Sequence, residues 1–156
     1  MRRVFAGLAS LLVLVVVAQF FFAASGAFDT APNDESFRPH RALGYVIFLF
    51  AVVLTIVAAL ARMPGRLIGM AARVAGLTVL QVVIAELAKA FNDTGGTSTT
   101  AGKLVFGLHA VNGLIIMSLA WTLARQARAL PRSPVTDRPA GGGNEAGVSG
   151  PAQPAS

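Results

Sequence analysis

The chain has no cysteine among its 156 residues. That excludes disulfides, thiolate metal sites, iron–sulfur clusters and haem attached through thioethers. Charge is scarce as well. Asp, Glu, Lys and Arg make up only 13% of the residues, against roughly a quarter in soluble domains. Histidine occurs twice, and tryptophan and tyrosine once each. The sequence shows no nucleophile–base pair, no phosphate-binding loop and no cluster of metal ligands, which argues against a hydrolase or a kinase.

What is present is long apolar runs. Hydrophobic residues are 54% of the chain, and they fall into four blocks, at about residues 4–24, 40–61, 67–91 and 104–123. A bilayer-spanning helix needs about 20 mostly apolar residues. Lipid cannot satisfy free backbone groups, so each block is expected to be helical. The expected fold is all-α, an integral membrane up-down four-helix bundle over residues 1–130. The Pro-, Gly-, Ser- and Ala-rich stretch 131–156 has almost nothing large and apolar to bury, and is expected to be a disordered tail. The Met63-Pro64-Gly65 turn makes the second and third spans antiparallel neighbours. A charged start and the small residues Ala23-Ala24-Ser25-Gly26-Ala27 also describe a signal peptide. The first apolar run is longer than a signal core of about 7–15 residues, so it is expected to stay as a helix.

The net charge of +6 does not point to nucleic acid, because the basic residues sit at helix ends rather than on a stripe. Arg2, Arg3, Arg62, Arg66, Arg125, Arg128, Arg132 and Arg138 lie on one side, with Arg73 just inside the third span. Arg38, Arg41, Lys89 and Lys103 lie on the other, with Asp29, Asp34 and Glu35. The positive-inside rule places the first side, and both termini, in the cytoplasm, in a multi-pass protein of the inner (plasma) membrane. Trp121 suits an interfacial anchor at the inner end. The expected partners are the lipid bilayer and a membrane protein or a second copy of the chain, and no nucleic acid.

Ionisable residues within spans point to function, and here they gather in one half of the bundle. His40 opens the second span; His109 lies five residues inside the fourth. Gln19, Gln81 and Asn112 fall in the same outer half. Each histidine is followed four residues later by glycine, in His40-Arg-Ala-Leu-Gly44 and His109-Ala-Val-Asn-Gly113. Residues four apart share a helix face, so Gly44 and Gly113 leave a gap one turn below each imidazole. The second and fourth spans run the same way and are diagonal in an up-down bundle. Two facing histidines with glycines beside them suit bis-histidine ligation of a b-type haem, with Arg41 and Arg38 at the mouth for the propionates. The plainer reading is a structural polar cluster, in which His109 and Asn112 hydrogen-bond to another helix in a non-catalytic protein or accessory subunit. His40 sits about one turn shallower than His109 unless its helix starts before Pro39, for instance with Ser36 as cap. Glu86 and Lys89 have the spacing of a helical ion pair, which is expected to outweigh a transport role for Glu86. Gly69, Ala72 and Gly76 suit close helix packing.

His40-Arg41 opening one helix, with His109 two helices later, resembles one four-helix half of haem A synthase. That resemblance covers about residues 37–125 and implies paired histidine ligands to haem. It departs at Phe37, where that family has a glutamate, and in having one half and no cysteine pair. The chain length, the four spans and the two His-to-Gly segments resemble a family of small bacterial membrane proteins of unknown function.

Overall fold

The computed structural model describes residues 1–91 and 99–130. Five helices follow in order: α1 (Arg2–Ala27), the single turn α2 (Asn33–Ser36), α3 (Arg38–Leu60), α4 (Gly65–Ala90) and α5 (Thr100–Arg128). The four long ones are each long and apolar enough to cross a membrane. At about 1.5 Å per residue, each exceeds the roughly 30 Å of a bilayer's hydrocarbon core. The proposed tail, 131–156, and most of the loop before α5 lie outside the described residues.

Local chemistry sets the ends. Pro39 sits in the first turn of α3, where its missing N–H costs nothing. The Thr99 hydroxyl caps α5 by accepting from Gly102 N at 3.0 Å. Ser36 does not cap α3. It closes α2, donating its hydroxyl to the Ala31 carbonyl at 2.8 Å, and Phe37 takes the cap position. Gly26 is held tight here: a Cβ on it would lie 2.8 Å from the Ser36 carbonyl.

The helices form a ring in the order α1, α3, α4, α5. Each packs against its two neighbours, and α1 also closes onto α5. The diagonal pairs, α1 with α4 and α3 with α5, make no backbone approach within 8 Å among the described residues. The fold is therefore the up-down bundle expected. Its core is drawn from one stripe per helix, such as Phe5, Ala9, Leu12 and Val16 on α1. Alanines fill many of the buried positions, which lets the helices approach closely. Large apolar side chains face outward, Leu14 at 64% exposure and Leu49 at 62%. An apolar belt around an apolar core is what a bilayer solvent requires.

Gly69, Ala72 and Gly76 are not at a helix contact. A Cβ on either glycine would have nothing within 4 Å, and Ala72 is exposed. The buried face of α4 is Leu67, Met70, Ala71, Val74 and Thr78. Small size alone does not fix which way a residue turns when every face of a helix is apolar.

A candidate ligand site at the histidine end

α1 and α4 both end where α3 and α5 begin, so Gln19, His40, Gln81 and His109 meet at one end of the bundle. The His40 and His109 ring centroids are 6.1 Å apart, with the ring planes inclined at 50°. The diagonal pairing of their helices is thus bridged by the side chains themselves. α3 begins at Arg38, before Pro39, and despite the different distances of His40 and His109 from the starts of their helices the two rings meet.

Each ring is held by the same device. His40 Nδ1 lies 3.1 Å from the backbone carbonyl of Gln19 on α1. His109 Nδ1 lies 3.2 Å from the backbone carbonyl of Gln81 on α4. A carbonyl oxygen only accepts, so Nδ1 carries the proton in both rings and, in the neutral imidazole, Nε2 carries the lone pair. This is the tautomer that a metal-ligating histidine uses, and the carbonyl is the outer partner that orients it.

The glutamine side chains complete the set. Gln19 Nε2 donates to the His40 carbonyl at 2.9 Å and stands 3.4 Å from His40 Nε2. Gln81 Oε1 accepts from Asn112 Nδ2 at 2.8 Å, and Asn112 also donates to the Leu77 carbonyl at 2.9 Å. Gln19 Oε1 is buried and has no partner. Aromatic rings lie one turn before each histidine. Phe106 stacks on His109 at 5.2 Å, and Phe37 meets His40 edge-on at 6.2 Å.

Gly44 and Gly113 do sit one turn below the rings, but the glutamines occupy the gaps. A Cβ at Gly44 would meet Gln19 Nε2 at 3.5 Å; one at Gly113 would meet Gln81 Nε2 at 3.4 Å and Phe20 at 3.5 Å. Arg41 is turned to the surface, where it pairs with the Asp34 carboxylate at 3.5 Å and donates to the Asp34 carbonyl. Glu86 and Lys89 form an ion pair at 2.8 Å with both side chains more than half exposed, outside the histidine cluster.

Gln19 and Gln81 were visible in the sequence only as polar residues in the same half of the bundle. Their main contribution, a backbone carbonyl, has no sequence signature, and Phe37 and Phe106 read as ordinary membrane residues. The signal that was available is the spacing of phenylalanine, histidine and glycine, which is the same in both segments.

Residues 19–89 match a family of unknown function (DUF6220). The match takes in Gln19, His40 and Gln81 and ends before α5. No curated protein and no solved structure matches the chain.

Proposed function

We propose that the protein is a b-type haem-binding membrane protein in which His40 and His109 are the axial ligands, acting in electron transfer or haem handling. The observation that carries this is the histidine pair itself. With metal–nitrogen bonds of about 2 Å and a ring nitrogen roughly 1 Å from the ring centre, two imidazoles facing one metal atom have centroids about 6 Å apart. The separation is 6.1 Å, and both rings have Nδ1 tied to a carbonyl, leaving Nε2 for the metal. Two imidazole nitrogens are a donor set of the kind that holds haem iron. Bound haem would supply a one-electron redox centre. The chain's own residues would orient the imidazoles through Gln19 and Gln81, and Phe37 and Phe106 would shield them from water. Binding at His40 requires the Gln19 amide to leave Nε2. The likeness of His40-Arg41 and His109 to paired histidines in haem A synthase supports the same reading.

A second reading is favoured by a different observation. Both Nδ1 atoms, the Asn112 amide and Gln81 Oε1 are already satisfied within the protein. A polar cluster that ties α1 to α3 and α4 to α5 would look the same, in an accessory protein that packs against a membrane partner or a second copy.

An absorption spectrum separates the two. Protein purified in detergent after expression with ample haem should show the sharp reduced-minus-oxidised bands of six-coordinate haem b. His40→Ala and His109→Ala should each lose the low-spin form, since it needs both ligands. A colourless, folded wild type would end the haem reading.

The orientation proposed places the histidine end outward in the inner (plasma) membrane, with both termini in the cytoplasm. At the opposite end lie Arg2, Arg3, Arg62, Arg66, Arg125 and Arg128, with no carboxylate among the described residues there. A reporter fused after Ser156 should report a cytoplasmic position; activity there of a reporter that works only in the periplasm would reverse the assignment.

A further inference from the structure

The glutamine–histidine–glycine sets are part of a longer correspondence. The pattern Phe-x-x-His-x-x-x-Gly-x-x-Ile-x-x-x-Ala-x-x-Leu-x-x-x-Ala runs from Phe37 to Ala58 in α3 and again from Phe106 to Ala127 in α5. Its last four positions are buried in both helices. A bundle core requires apolar residues at such positions, but not the same ones, since Leu, Ile, Val and Met exchange there at small cost. The preceding helices match in register as well. Counting back from Gln19, the buried residues of α1 are Val16, Leu12, Ala9 and Phe5; at the same intervals back from Gln81, Thr78, Val74, Ala71 and Leu67 of α4 are buried, with Met70 buried in addition. Ala23 and Ala85 follow the two glutamines by four. A side chain there leans back over the glutamine carbonyl, and alanine leaves the carbonyl open to the imidazole.

The architecture has the matching symmetry. α1 and α4 are diagonal and run the same way, as do α3 and α5. A half turn about the bundle axis therefore exchanges α1 with α4 and α3 with α5 without reversing any helix, the relation of parallel repeats in membrane proteins. The two copies differ in their connections: Gln19 and His40 are 21 positions apart, Gln81 and His109 are 28.

We infer that the chain is two copies of one helical hairpin, α1–α3 and α4–α5, and that the histidine pair is one composite site on the axis between them, half from each copy. Such a site suits a ligand with two equivalent faces, a planar metal macrocycle, rather than a directional small molecule. The ligand clause rests on the haem reading above; the duplication does not.

The duplication accounts for the one orphaned polar atom at the site. In the second copy Asn112 donates to Gln81 Oε1. The equivalent of Asn112 in the first copy is Leu43, so Gln19 Oε1 is left without a donor.

Leu43→Asn in the full chain tests this through the sign of its effect. Asparagine in place of a partly buried leucine ordinarily lowers the thermal midpoint, and Ile47→Asn, one turn on and without a waiting acceptor, is the control. The duplication predicts that Leu43→Asn keeps or raises the midpoint in detergent while Ile47→Asn lowers it. Equal losses in both would overturn it. A second variant does not depend on one side chain. Residues 37–58 are replaced by the sequence of residues 106–127, in register, and in a control by the sequence of residues 108–129. A two-residue slip turns the stripe by about 200°. The in-register chain should unfold cooperatively within a few degrees of wild type and the slipped one should not; no difference would also overturn the inference. Neither readout involves haem, so a colourless but symmetric protein would sink the haem reading alone. If haem is bound, free imidazole should restore the six-coordinate spectrum to His40→Ala and His109→Ala to the same extent. Restoration of only one would refute the equivalence of the two faces.

Discussion

Asn112 on α5 donates to Gln81 Oε1 on α4 at 2.8 Å, and through its other hydrogen to the Leu77 carbonyl at 2.9 Å. The two bonds pin α5 to α4 beside the ring of His109. Asn112→Leu removes both and leaves Gln81 Oε1 without a donor in an apolar surrounding. The expected loss is on the order of 1 kcal/mol, typical of an interhelical hydrogen bond in a membrane bundle. Thermal unfolding in detergent measures it. A loss several times larger would mean that Asn112 also supports the orientation of His109.

Glu86 is expected to be dispensable. Its carboxylate is paired with Lys89 one turn on, at 2.8 Å, and both groups are largely exposed. Exposed ion pairs contribute little, and the lysine stem can carry its charge to the headgroups. Glu86→Gln should leave both stability and any haem spectrum unchanged. Loss of pH-driven uptake in proteoliposomes made with Glu86→Gln would instead identify a transporter.

The number of spans, their alternating up-down course and the diagonal placement of the histidines were legible, because the lengths of the apolar blocks and of the connections between them carry that information. Rotation of each helix was not. The spans are apolar on every side, so hydrophobic periodicity gives no inward face, and Gly69, Ala72 and Gly76 turned out to point away from the bundle. Polar residues were a better guide, since burial in lipid leaves them only the bundle interior or the interface. That held for Asn112, Gln81 and His109. It failed for Arg41, whose position at the helix mouth fits either the site or the surface, and which Asp34 holds at the surface. The start of α3 was missed because Ser36 is a good cap by type but is already used in closing α2.

Arg62 closes α3 with φ at 49°, in the left-handed region. Met63 N donates to the Ala58 carbonyl at 2.9 Å and Arg62 N to the Ala59 carbonyl at 3.0 Å. This is the double bond pattern that usually places glycine where Arg62 stands, and Met63 is buried beneath the turn. A side chain in this conformation costs about 1 kcal/mol, partly offset by the freedom glycine has when unfolded. Arg62→Gly should therefore raise stability by about 0.5 kcal/mol. A lower thermal midpoint would show that the Arg62 charge contributes more at the interface than its backbone costs.

Leu54 on α3 and Leu123 on α5 are both fully buried in the core, at equivalent places in the two hairpins. In water, truncating such a leucine costs about 2–5 kcal/mol, from lost transfer energy and from the cavity left behind. In a membrane the first part largely vanishes, because lipid is as apolar as leucine. The packing loss remains. Leu54→Ala and Leu123→Ala should each cost about 2 kcal/mol, the lower end of that range, and should cost nearly the same as each other. Leu14 is 64% exposed on the outer face of α1, and Leu14→Ala should change stability little. Denaturation in mixed micelles provides the comparison. Equal costs at all three positions would mean that the interior of the bundle is no better packed than its lipid-facing surface. A large gap between Leu54 and Leu123 would mean that the two hairpins, though alike in register, are not alike in packing.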